Sequence, residues 1–219
     1  MQGILDTAML VIFDWDGTIL NSLAKISRCM QLAAADAGLP ELSEKDVRGI
    51  IGLGLPEAVM TLYPETGEST QELLRQRYSH HFIVEDHKPC EFYPGVEDTL
   101  HTLKSDGHHI AVATGKSRQG LNRVLSGLGW DDFFHASRCA DETSSKPNPQ
   151  MLSELLKETG YPVTDALMVG DTEFDLAMAA SLDMRRVGVS YGAHSQERLN
   201  NHAPEAIIDS LDELLGFVR

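Results

Sequence analysis

Positive charge is scarce in this sequence. Lysine and arginine number 18 against 33 aspartates and glutamates, a formal net charge of −15 over 219 residues. A surface with that balance repels nucleic acid and anionic membrane, so neither is an expected partner. A small anion meets the same unfavourable field. Any anion site must therefore be local, made of backbone N–H groups, a few cations and a bound metal. Cysteine is also rare: Cys29, Cys90 and Cys139 are widely spaced and odd in number. Their spacing excludes a disulfide framework and a paired zinc motif, and it suits free thiols in a reducing compartment. Long apolar runs are missing. The longest is about six residues, far short of the roughly 20 that span a bilayer. Residues 1–8 carry Asp6 and no basic start, unlike a secretory leader. A cytoplasmic location is the expectation. Neither internal repeats nor low-complexity tracts are found.

The rest is ordinary for a globular chain, at 42 % hydrophobic and 23 % charged residues. Short apolar runs at 9–13, 109–113, 166–169, 186–189 and 206–208 lack strict alternation, which suits strands covered on both faces. Helical patterns at 96–105, 118–127, 149–159 and 174–182 lie between them. That alternation predicts an α/β fold, a doubly wound, Rossmann-like parallel sheet. In such sheets ligands sit beyond the carboxyl ends of the strands, where Asp14, Thr114 and Asp171 fall. Residues 21–88 break the pattern and read as helices only, at 22–37, 43–49, 56–62 and 70–84. About 70 residues is too long for a loop in a compact domain, which predicts an inserted all-helical domain. The expected division is a core of residues 1–20 and 89–219 with a helical domain at 21–88. Lys88-Pro89 to Pro94-Gly95 would be the return linker.

Asp14-Trp15-Asp16-Gly17-Thr18 follows the first strand directly. Side chains two apart on a strand point the same way, so Asp14 and Asp16 should face one site, where a divalent cation would relieve their repulsion. Asp171, in Gly170-Asp171-Thr172-Glu173-Phe174-Asp175, ends another strand, and Asp175 lies one helical turn later. Hard cations take such oxygen donors. Helix capping would account for one of these acids, but not for four expected to converge. In Thr114-Gly115-Lys116-Ser117, hydroxyls and backbone amides at a helix start can hold a phosphate or simply cap the helix. Lys146, before Pro147, is the cation such an acidic site would need to hold a phosphoryl group.

Together these motifs resemble, in order and almost end to end, those of the haloacid dehalogenase superfamily, in its phosphoglycolate-phosphatase-like branch. The resemblance implies that Asp14 is a nucleophile forming an aspartyl-phosphate and that Asp16 is the general acid and base. It implies that Thr114, with Gly115, binds the transferring phosphoryl group and that Lys146 steadies it. Mg2+ would be held by Asp14, the Asp16 main-chain carbonyl, Asp171 and Asp175. The family's dehalogenases lack the second acid, so Asp16 argues against that chemistry. Trp15 stands where the family more often has a smaller apolar residue or Phe, and should pack beneath the site. Asn21 stands where many relatives have Asp. Residues 21–88 resemble the family's mobile cap, in which Arg48 or Glu57 could meet the leaving group, or could be plain surface charges beside an interhelical turn. His80-His81 is expected at a surface or in helix packing. The implied activity is hydrolysis of a small phosphorylated metabolite by a monomer or homodimer. The alternatives are a β-phosphoglucomutase-like mutase and a non-catalytic phosphometabolite-binding protein.

Overall fold

The computed structural model describes residues 8–84 and 90–218. Asp6 and the Lys88-Pro89 part of the expected linker lie outside them. Six strands form one parallel sheet: β1 (Leu10–Phe13), β2 (His109–Thr114), β3 (Ala136–Cys139), β4 (Ala166–Gly170), β5 (Arg185–Val189) and β6 (Ala206–Ile208). Their order is β3-β2-β1-β4-β5-β6. Alternation along β1 explains why the whole Leu-Val-Ile-Phe run is apolar. Val11 and Phe13 join one core cluster, Leu10 and Ile12 another, so both faces of the strand are covered. Helices α5 (Val96–Ser105), α6 (Arg118–Leu128), α7 (Gln150–Thr159) and α8 (Glu173–Ala180) follow the expected alternation, and α9 (Gln196–Asn200), which was not foreseen, lies between β5 and β6 in the chain.

The sequence reading misses β3. Its Ser137 and Arg138 are only part-buried, because an edge strand has one neighbour and does not need a continuous apolar run. The direction of winding reverses between β1 and β4, which opens a crevice at their carboxyl ends. Phe13 pairs with Val169, so Asp14 and Asp171 leave adjacent strands side by side.

Between β1 and α5 the chain forms α1 (Leu23–Asp36), α2 (Glu44–Arg48), α3 (Leu55–Leu62) and α4 (Glu68–Val84). These helices bury their own apolar cluster, which includes Leu23, Met30, Val47, Val59 and Leu74. Ser43 caps α2 in a reciprocal box with Asp46. His81 reaches Asp36 at 2.8 Å and ties α4 to α1, the packing role expected of it. Departure and return run side by side: Asn21 N–H donates to the Glu91 carbonyl at 2.9 Å, and Tyr93 N–H to that of Ile19 at 3.2 Å. Among the described residues no helix is long and apolar enough to cross a membrane. Cys29 and Cys139 are buried, and Cys90 is part-buried.

Candidate active site

Three carboxylates and one ammonium meet where β1 and β4 end. Asp14, Asp171 and Asp175 each bring a carboxylate oxygen within 4.8 Å of the others, and all three are buried. Lys146, on the loop before α7, donates to Asp14 Oδ1 at 2.7 Å and to Asp175 Oδ1 at 2.6 Å. The other oxygen of Asp175 accepts from Thr172 N–H and Oγ, a capping box that fixes the acid on the first turn of α8. Asp171 Oδ1 accepts from Thr18 Oγ at 2.8 Å, and its Oδ2 from Ala193 N–H at 2.7 Å. Asp14 Oδ2 is buried with no hydrogen-bond partner. An ionised oxygen left bare in that position is costly unless a cation meets it.

The electrostatics agree with the geometry. Burial pushes Asp14 well above the usual carboxylate range; Lys146 pulls against this, and Asp175 and Asp171 add to it. Burial, then the charge of Asp175, raises Asp171 to about 7 against the hydrogen bonds from Ala193 and Thr18. Burial alone would lower Lys146, but Asp14 and Asp175 outweigh it and keep the ammonium protonated. One ammonium faces three acids, and an all-oxygen donor set short of positive charge fits a hard divalent cation. Gly17 makes the convergence sterically feasible: it sits at φ 93°, and a β-carbon there would stand 2.2 Å from Asp171 Oδ2.

Asp16 stands apart from the three-acid cluster, although four acids were expected to converge. The strand ends at Phe13, so the two-residue alternation does not carry past it. The Asp16 carboxylate accepts from Ser22 Oγ at 2.7 Å and pairs with Lys116 at 2.9 Å. Trp15 packs beneath the site as expected, edge-on to Phe134 at 5.9 Å. Thr114 is fully buried, and its Oγ accepts from Lys116 N–H at 3.2 Å. Ser117 caps α6. Lys116, to which the sequence reading assigned no role, is the residue that links this loop to Asp16. Its signal was its place between Gly115 and Ser117 at a strand end.

A cavity of about 220 Å³ opens over Asp14, Asp16, Gly115 and Lys116, and residues of α1, α3 and α4 cover it. The cover is close: a β-carbon on Gly115 would come within 2.5 Å of the Leu53 carbonyl oxygen. Gly54 N–H donates to Ser145 Oγ at 2.8 Å, and the Lys116 ammonium lies 4.6 Å from the Phe82 ring centroid. Arg48 and Glu57 do not line this cavity. The Arg48 guanidinium instead donates to the Gly192 carbonyl at 2.7 Å and to that of Ala193 at 3.5 Å. That places it behind the loop whose Ala193 N–H holds Asp171.

The haloacid dehalogenase-like hydrolase family model matches residues 11–189. The chain is 29 % identical over 217 residues to the phosphoglycolate phosphatase of Vibrio vulnificus (strain YJ016), covering 95 % of each chain. It is 31 % identical over 211 residues to the "Probable phosphatase IndB" of Dickeya dadantii (strain 3937), covering 94 % of this chain and 92 % of the relative. Among solved structures, a predicted phosphoglycolate phosphatase from Haemophilus somnus 129pt superposes with a TM-score of 0.87. The two are 26 % identical, and the match covers 97 % of this chain and 98 % of that one.

Proposed function

This chain belongs to the haloacid dehalogenase-like hydrolase family and is a phosphatase, and from that premise we propose that it hydrolyses a small phosphomonoester in two displacements at Asp14 with magnesium as its cation. The observation that carries the proposal is the state of Asp14. One of its oxygens is held by Lys146, and the other is buried and bare beside two more acids. In the first step a carboxylate oxygen of Asp14 attacks phosphorus. The bond to the leaving oxygen breaks, and that oxygen takes its proton from Asp16. In the second step a water gives a proton to Asp16 and its oxygen attacks the aspartyl-phosphate. The bond from Asp14 to phosphorus breaks and inorganic phosphate is released.

Lys146 offsets charge on Asp14 throughout, while Thr114 and Gly115 border the phosphoryl position. Asp14, Asp171, Asp175 and the Asp16 carbonyl would hold the cation, which supplies positive charge against the phosphoryl oxygens. Residues 21–88 act as a cap that excludes bulk water during the first step. Three widely spaced cysteines, an odd number, suit a cytoplasmic location.

The test is release of inorganic phosphate from a panel of phosphorylated metabolites, with and without chelator. Asp14→Asn is expected to fold and to lose at least about a thousandfold in turnover, the scale of removing an essential nucleophile. Full activity in that variant, or in chelator, would overturn the mechanism. An isomerised sugar phosphate in place of inorganic phosphate would favour the mutase alternative.

A further inference from the structure

The covered cavity has two unlike halves. Its floor is polar and belongs to the core: Asp14, Asp16 and Lys116 at the strand ends. Its roof is mostly apolar: Ile26 and Met30 from α1, Ile51 and Leu53 from the turn before α3, and Phe82 and Ile83 from α4, with Tyr78 and Ser79 of α4 beside them. Two cations near the cavity are already engaged. Lys116 is paired with Asp16 at 2.9 Å, and Arg48 is turned onto the Gly192 carbonyl. Arg123, half-buried on α6, is the remaining cation of the lining.

Building on the phosphatase reading, we infer that this cavity takes phosphomonoesters whose leaving group has a compact apolar body, a short alkyl chain or a single ring, in preference to a short carboxylate-bearing one. A carboxylate held against these six apolar side chains would lose its water there and find no partner on them, whereas a hydrocarbon gains from leaving water. Size sets the upper limit. A cavity of about 220 Å³ is below the roughly 300–1,000 Å³ of sites for drug-sized ligands.

The experiment compares kcat/KM for methyl, ethyl, propyl and pentyl phosphate, benzyl phosphate and 2-phosphoglycolate, each with saturating magnesium and with chelator. The alkyl series should rise about fourfold per methylene until the cavity is filled. Propyl phosphate should exceed 2-phosphoglycolate, its near match in size, by at least about tenfold, the scale of one or two lost contacts in an apolar pocket. Ile83→Ser removes part of the roof at a residue that is 52 % exposed, so folding should survive, and a thermal melt checks it. That variant should lower the pentyl-to-methyl ratio several-fold. A flat alkyl series, or faster turnover of 2-phosphoglycolate than of propyl phosphate, overturns the inference; the second result would assign Arg123 to a substrate carboxylate. No chelator-sensitive phosphate from any ester would overturn the phosphatase reading itself, and this inference with it.

Discussion

Lys146 and Arg48 both steady the acidic site, but under opposite conditions. The Lys146 side chain has no exposure and lies within 2.7 Å of two buried carboxylates. Arg48 is 37 % exposed and holds main-chain carbonyls, with Glu44 3.6 Å away on the same helix. Screening by water makes an exposed cation replaceable, whereas a buried one leaves bare charges behind when it is removed. The core half of the site is therefore expected to be intolerant of change, and the helical half adjustable.

The largest effect that would test this contrast is on stability without metal. Lys146→Met strands Asp14 and Asp175 in a dry site and should destabilise the chelated protein by about 3–5 kcal/mol. A denaturant titration measures it, and a loss below about 1 kcal/mol would break the contrast. Next comes pH. Asp171 is raised to about 7, above its unfolded value of about 3.9. Between those values the folded, metal-free protein holds more protons than the unfolded chain, so its stability falls as pH rises from about 4 to about 7. Metal binding needs the ionised form, so the stabilisation given by magnesium should grow across the same window. Melting curves at several pH values, with and without magnesium, would show the two lines diverging; parallel lines would contradict it. The smallest effect belongs to Arg48→Met. Loss of its grip behind Ala193 should loosen Asp171 and raise the magnesium concentration for half-maximal activity several-fold, with stability lower by only about 1 kcal/mol. A stability loss like that of Lys146→Met would erase the distinction.

Much of the fold could be read from the chain because β1, β2 and β4 are covered on both faces and must be apolar throughout. The strand at 136–139 escaped because an edge position tolerates Ser137 and Arg138. Placement at strand ends also singled out Asp14, Asp171 and Asp175, and the need of an acidic site for a cation singled out Lys146; the structure brings the four together. What it could not give were partners set by tertiary structure. Thr18 finds Asp171 across 153 positions, Arg48 finds Gly192 across 144, and Lys116 turns Asp16 aside. Local periodicity carries no trace of such pairings. For the same reason the apolar roof was not foreseen: its residues come from three separated stretches, two helices and a turn, that meet only after packing.

Beyond β1 the chain enters the helical stretch past Leu20 and comes back at Phe92, and these two residues are bridge partners. Entry and exit thus share one doorway, and bridged residues lie only about 5 Å apart, a gap that a linker of two or three residues closes. The helical stretch is attached like a pendant, so another of different length could be grafted there without shifting the register of β1. A scaffold wired this way can keep the strand-end residues in place while exchanging the part that covers them.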